Sequence, residues 1–291
     1  MRERHASRTF DVINAIAILF FVLICLAPFL HIIAISLSSA RAIMTGEVSL
    51  IPVDLNWNAY KQVFSDMSMI RSLGFTVMLT LLFTLLCMLM TIAAAYPLAK
   101  TGLKGRKPLM FIIVITMFFS GGIIPEYMLV RNLHLLDTVW ALVLPGLISP
   151  FYLIILITFF QNIPDSLEES AQIDGSSYIR TLVSIIIPLS LPVIATLSLF
   201  YAVGRWNGFT DTLMYITSPE MYPLQLKLYQ LVQNNMVSEL MQMEGASGQS
   251  MLQPESLKAA SVIFATVPIL IVYPWLQRYF VNGVMIGAVK G

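Results

Sequence analysis

Six stretches of this sequence, 17 to 27 residues long, are mostly apolar and contain no Asp, Glu, Lys or Arg: 12–35, 72–98, 108–124, 138–160, 183–204 and 259–277. A bilayer-crossing helix needs about 20 such residues, because the hydrocarbon core is about 30 Å thick and each residue rises 1.5 Å. Water offers no way to hide so much apolar chain. Only 11% of the 291 residues are charged and 57% are hydrophobic, where soluble domains carry roughly 25% charge. A water-soluble enzyme is excluded on these grounds. A net charge of +1 also lacks the basic face that nucleic acid requires, so no nucleic-acid partner is expected. The fold class is an all-α polytopic membrane protein with six transmembrane helices, whose first partner is the lipid bilayer.

Arg2, Arg4 and Arg8 stand ahead of the first run, which resembles a secretory signal. The run is too long for a signal core of 7–15 residues, and no small-residue cleavage site follows. It reads as an uncleaved first helix behind a cytoplasmic segment, 1–11. Lys and Arg collect in cytoplasmic loops. With the N-terminus inside, ten of the 17 basic residues fall in the short inner segments, four of them in the single loop holding Lys100, Lys104, Arg106 and Lys107. The chain is therefore read as N-in and C-in. Trp57, Trp140 and Trp206 then fall near outer span ends, at the headgroup depth that amphipathic rings prefer.

Both cysteines, Cys25 and Cys87, lie inside apolar runs and read as small buried hydrophobes rather than a disulfide. His31 is the one titratable candidate for ion coupling inside a span and reads instead as a polar tip at the interface. Residues 222–241 place Leu224, Leu228, Leu231 and Val232 at helical spacing, which predicts an amphipathic helix. The following 244–254 stretch, rich in Gly, Ser and Gln, is expected to be a loop.

The loop between the fourth and fifth runs is the most informative. Ser166 followed by Glu169 forms a capping-box pattern, predicting a helix that starts there. Gly175 is suited to stop it in the left-handed conformation. Leu167 and Ala171 share a face, with Glu168 and Gln172 on a neighbouring polar strip. The expectation is a short amphipathic helix over 166–174, held at the cytoplasmic surface between two spans.

Glu169-Ser170-Ala171, three residues, Gly175, nine residues, then Ile185-x-Ile187-Pro188 resembles the signature loop of permease subunits of bacterial ATP-binding-cassette importers. Ser170 and Ile187 depart from that pattern by small changes in volume. Arg131–Thr138, Tyr201–Asn207, Pro223–Gln225 and the ending 283–291 are similar to carbohydrate-uptake permeases of the maltose-permease-G-like branch, particularly those for oligosaccharides or polysaccharide fragments. The likeness covers about 70–281, within a permease domain of 12–291. It implies the type I importer fold in a bacterial inner (plasma) membrane. It also implies a second homologous permease subunit, two ATPase subunits, an extracytoplasmic solute-binding protein and a carbohydrate substrate. The 166–174 helix would be the coupling helix, with Ser166, Leu167, Glu168, Glu169, Ala171, Asp174 and Gly175 as its ATPase-coupling residues.

No Gly-x-x-x-x-Gly-Lys-Ser/Thr sequence occurs, so no phosphate-cradling loop is expected on this chain. By the resemblance, ATP and Mg belong to the partner ATPase, and this chain is no enzyme and carries no cofactor or metal. The candidate substrate pathway is the outer end of the fifth run: Tyr201, Arg205, Trp206, Asn207 and Asp211, with Phe209. Sugar rings offer C–H faces to aromatics and hydroxyls to Asn, Asp and Arg. The bland alternative is an interfacial anchor in which Arg205 snorkels. Two other functions remain compatible: the same architecture importing an amino acid or peptide, and an ion-coupled secondary carrier.

Overall fold

The computed structural model describes the backbone of residues 2–243 and 255–288, and the side chains of 10–233 and 255–272. Among the described residues the regular structure is helical and includes no strand. The helices are α1 (Arg2–Ser36), α2 (Ala40–Met44), α3 (Asn58–Ser65), α4 (Met67–Ala99), α5 (Arg106–Phe118) and α6 (Ile123–Asn132). There follow α7 (Val139–Val143), α8 (Pro150–Gln161), α9 (Asp165–Ile173), α10 (Tyr178–Thr181) and α11 (Ile187–Leu189). The last are α12 (Leu191–Asn207), α13 (Thr210–Tyr215), α14 (Leu224–Met243) and α15 (Glu255–Ala288). The chain divides into two units, Met1–Ile70 with Lys227–Pro268, and Arg71–Leu226 with Ile269–Gly291.

Three helical segments are long and apolar enough to cross a membrane: Phe10–Ser36, Met67–Ala99 and Glu255–Val272. Two more arise if each bent pair is one span: α5 with α6, bent by 117°, and Tyr178–Leu189 with α12, bent by 82°. The breaks follow from backbone chemistry. α5 stops at Phe118, and Gly122 takes a φ of +88° before α6 begins. Between α11 and α12 the chain turns at Ser190, with Pro188 and Pro192 each removing an amide donor.

The fourth run is not the single helix expected over 138–160. Pro145 has no amide N–H with which to continue α7, and Pro150 holds Ser149 before it in an extended conformation (φ −88°, ψ 118°), so the run splits into α7 and the 12-residue α8. Pro150 sits in the first turn of α8, and the Ser149 hydroxyl caps it by accepting the Tyr152 N–H at 3.5 Å. A helix of that length rises only about 18 Å.

In the first unit, residues 12–35 of α1 carry no Asp, Glu, Lys or Arg, and Phe10, Ile16 and Phe21 are exposed. Cys25 is also exposed, not buried as expected, because it lies on this uncovered helix. The end of α1 is packed: Ala34 is buried with Ala42 and Val48. His31 Nδ1 lies 2.6 Å from the Ser49 carbonyl oxygen. Ala59 and Val63 of α3 pack on Leu257 and Ala260 of α15, with Phe64 edge-to-face on Phe264.

The second unit has two cores. One joins Cys87, Ala95 and Tyr96 of α4, Leu156 and Ile157 of α8, and Leu197 and Tyr201 of α12. The other joins Leu79, Val130, Leu142 and Tyr215. The predicted helix near 222–241 forms as α14; of the spaced stripe Leu224 is buried, Leu228 and Leu231 are half-buried and Val232 is exposed, while Leu226, outside the stripe, is buried too. Leu224 N–H donates to the buried Thr76 hydroxyl at 2.8 Å, which fixes that register. The expected loop 244–254 lies outside the described residues.

Candidate functional site

α9 is built by its two ends. The predicted capping box does not form. Pro164 takes a φ of −58° and a ψ of 129°, and its carbonyl accepts the Leu167 N–H at 3.2 Å. The first turn therefore closes one residue earlier than Ser166, which lies inside the helix and accepts the Ser170 hydroxyl on its carbonyl at 2.8 Å. Asp165 and Glu168 in that turn complement the positive helix end. The other end matches the expectation. Gly175 has a φ of +79°. Its N–H donates to the Gln172 carbonyl at 3.0 Å, and the Ser176 N–H donates to the Ala171 carbonyl at 2.8 Å, which is the Schellman pattern.

The burial of α9 corrects its predicted face. Glu168 and Ala171 turn inward, whereas Leu167 is 42% exposed. Ser166, Glu169, Asp174 and Gly175 are exposed. The inward pair is three residues apart and the Glu169–Ile173 pair four apart, so each marks one side of the helix. Ile173, Tyr178 and Ile179 are 86%, 68% and 76% exposed. Exposed apolar side chains are common where a protein meets another protein or a membrane. Sequence reasoning missed these three, because their apolarity alone reads as burial.

The second region is the end of α12. Tyr201 is buried, and its hydroxyl lies 3.0 Å from the Thr91 hydroxyl and accepts the Ser149 N–H at 3.0 Å. Arg205 does not snorkel outward. It is buried and donates to the carbonyls of Leu142 at 3.3 Å and Gly208 at 3.2 Å. Its guanidinium forms a two-pronged ion pair with Asp211, one prong being Nη2 to Oδ1 at 2.9 Å. A Cβ at Gly208 would lie 3.4 Å from Arg205 Nη2 and 3.2 Å from the Gly204 oxygen, so a larger residue there would press on the Gly204 carbonyl by a few tenths of an ångström.

A groove of about 360 Å³ opens beside this pair, lined among others by Phe83, Tyr152, Tyr201, Arg205, Phe209 and Asp211. Tyr152 stands edge-on to Tyr201 at 4.8 Å and stacks with Phe200 at 5.8 Å. Of the predicted pathway residues, Tyr201, Arg205, Phe209 and Asp211 line the groove together. Trp206 is buried, and exposed Asn207 reaches Gln225, whose Nε2 donates to Asn207 Oδ1 at 3.5 Å. Tyr152 and Phe83 come from distant helices and had no signal in sequence beyond their aromaticity.

Nearby, Asp137 staples the loop after α13. Its carboxylate accepts the Thr217 N–H at 3.0 Å, the Ser218 N–H at 2.8 Å and the Ser218 hydroxyl at 2.6 Å. The Ser218 hydroxyl first, then these amides, hold its carboxyl below the usual carboxylate range. Among the described residues no group of three or more His, Cys, Asp or Glu is placed to hold a metal ion.

Residues 99–286, which contain both α9 and α12, match the family described as "Binding-protein-dependent transport system inner membrane component". Relatives include the "Polygalacturonan/rhamnogalacturonan transport system permease protein YtcP" of Bacillus subtilis, 43% identical over 287 residues, with 98% of this chain and 99% of that protein covered. "Protein LplC" of the same bacterium is 44% identical over 292 residues, covering 100% of this chain and 98% of its own. A solved chain from "a bacterial ABC transporter involved in the import of the acidic polysaccharide alginate" superimposes with a TM-score of 0.85 at 30% identity, covering 94% of this chain and 98% of that chain. The chain belongs to the binding-protein-dependent transport system inner membrane components, and is a multi-pass permease with the type I ABC importer fold.

Proposed function

We propose that this permease carries an oligosaccharide into the cytoplasm, and that α9 is the coupling helix through which a partner ATPase drives it. The observation that carries the reading is the exposed face of α9, marked by Glu169 and Ile173 and followed in the chain by exposed Tyr178 and Ile179, on a loop between apolar segments. The complete importer would hold a second homologous permease, two ATPase subunits binding ATP and Mg, and an extracytoplasmic solute-binding protein. The chain would lie N-in and C-in, with six crossings in which α7 and α8 together serve as the fourth. ATP binding would close the ATPase pair, displace α9 and tip the bundle from inward-open to outward-open. Each ligand acts only through its different affinity for the two states.

For the solute, the groove at the end of α12 supports a sugar. Aromatic rings from Phe83, Tyr152 and Tyr201 offer flat apolar surface, and the Arg205–Asp211 pair offers polar groups without net charge. The names of the relatives, which specify polygalacturonan, rhamnogalacturonan and alginate, favour carbohydrate over amino acid or peptide. The test is reconstitution of the full complex in liposomes, with a panel of labelled oligosaccharides, amino acids and peptides. ATP-dependent oligosaccharide uptake that needs the solute-binding protein is expected. Uptake of amino acids or peptides alone, or uptake driven by an ion gradient without ATPase subunits, defeats the reading. Trp206→Ala and Asn207→Ala at matched membrane abundance test the pathway assignment, which unchanged uptake would sink.

A further inference from the structure

Two adjacent glutamates in α9 face opposite ways. Glu169 is exposed, whereas Glu168 is turned inward beside Ala171. A carboxylate taken out of water is costly unless another group meets its charge. Lys100, the first residue beyond α4, meets it with an ion pair to Glu168 Oε1. The Tyr96 hydroxyl donates to Glu168 Oε2 at 3.5 Å, and Lys100 Nζ lies 4.8 Å from the centre of the Tyr96 ring. Tyr96 itself stands edge-on to Phe160 of α8 at 6.5 Å.

The same end of α4 is gripped from two other sides. Arg106 Nε donates to the Leu98 carbonyl at 2.8 Å, and Gln161 Nε2 donates to the Ala99 carbonyl at 3.4 Å. These are among the last carbonyls of a helix, which have no partner within it. Residues from α5, the end of α8 and α9 thus converge on one turn of α4. α9 has nine residues, and its flanks are the Asn162–Pro164 bend and the left-handed Gly175. Short flanks of this kind do not by themselves fix the helix against rotation. Glu168 supplies a lateral contact to α4.

We infer that Glu168 is a positioning residue: through Lys100 and Tyr96 it fastens α9 to the end of α4, so that a push on α9 moves α4 instead of being absorbed in the loop. The inference rests on the reading of α9 as the helix a partner ATPase engages. It divides the two acids, with Glu169 facing the partner and Glu168 holding the helix to its own chain.

The experiment uses the complete transporter in liposomes and compares Glu168→Lys, Lys100→Glu and the swapped pair Lys100→Glu/Glu168→Lys. Each single change sets like charges together. ATP-driven uptake is expected to fall about tenfold, within the range that touching neighbours show in double-mutant cycles, while the ATPase subunits still co-purify. The swap is expected to recover most of the loss. A swap as inactive as the single variants, with ATPase subunits still bound, overturns the tie and leaves the docking reading intact. If the swap does not reach the membrane, Glu168→Gln decides, since it keeps the volume and removes the charge. Reduced uptake with ATPase subunits bound supports the tie, and full uptake overturns it. Loss of ATPase binding in Glu168→Gln also overturns it, by placing Glu168 on the docking surface. Failure of the docking reading shows separately, as a Glu169→Lys variant that transports normally.

Discussion

Gly175 isolates one physical cause. Its φ is +79°, a region that costs an ordinary L-residue about 1–2 kcal/mol and a β-branched residue more. A Cβ placed there meets nothing within 4 Å in this chain, so the penalty of substitution is conformational and not steric. In Gly175→Ala the ratio of closed to opened C-terminal turn should fall by a factor of about 5–30, the equivalent of that energy. Two amides report the turn directly, because Gly175 N–H and Ser176 N–H donate to the Gln172 and Ala171 carbonyls. Hydrogen exchange of these amides in the purified permease should accelerate by that factor in Gly175→Ala, by less in Gly175→Asn, which tolerates the left-handed region, and by more in Gly175→Val. Transport should decline in the same order. If Asn, Ala and Val all abolish transport equally while exchange at 175–176 stays slow, the backbone argument is refuted, and the glycine is needed for bare surface against a partner.

Other outcomes follow from the second unit. Arg205→Ala leaves the partly exposed Asp211 without its ion-pair partner and removes charge-assisted hydrogen bonds worth about 1.5–3 kcal/mol, so the detergent-solubilised protein should melt earlier than wild type and earlier than Asn207→Ala, and equal melting temperatures would count against a structural role for the pair. Tyr201→Phe strips the partner from the Ser149 N–H and the Thr91 hydroxyl, and should lower stability by about 1–3 kcal/mol, read as a shifted denaturant midpoint. Asp137 has a folded carboxyl pKa below its ordinary value. Its contribution is therefore complete above the ordinary carboxylate pKa and is lost as pH falls through the lower folded one. Protease cleavage in 216–222 should rise only in acid for the wild type and be raised already at neutral pH in Asp137→Ala; identical profiles would exclude the staple.

The membrane character was legible because hydropathy is additive along the chain, and six charge-free runs are hard to place anywhere but a bilayer. The stop at Gly175 was legible because it is local backbone chemistry. The start of α9 was not. Ser166 and Glu169 carry a capping pattern, yet Pro164 closes the turn first. The fourth run was read as one helix because a hydropathy window ignores the amide that Pro145 lacks and the extended conformation that Pro150 imposes on Ser149. Tertiary partners were hidden altogether. Lys100 and Glu168 lie 68 residues apart, and Tyr201 and Thr91 lie 110 apart, so neither pairing leaves a local trace. Arg205 was legible as a site residue but not as a buried one, since its burial depends on an acid beyond the helix end and on the Leu142 and Gly208 carbonyls.

The central claim is that a partner ATPase engages the outward side of α9. The direct measurement is cross-linking from Ile173, which is 86% exposed. An Ile173→Cys variant lacking Cys25 and Cys87 is reconstituted with its ATPase subunits and treated with a short thiol-reactive cross-linker, with Phe119→Cys, 76% exposed at the α5–α6 break, as the comparison. A covalent adduct between Ile173→Cys and the ATPase that depends on ATP is expected, and none from Phe119→Cys. An Ile173→Cys that stays uncross-linked, and is labelled by a membrane-impermeant thiol reagent from outside intact cells, would contradict it.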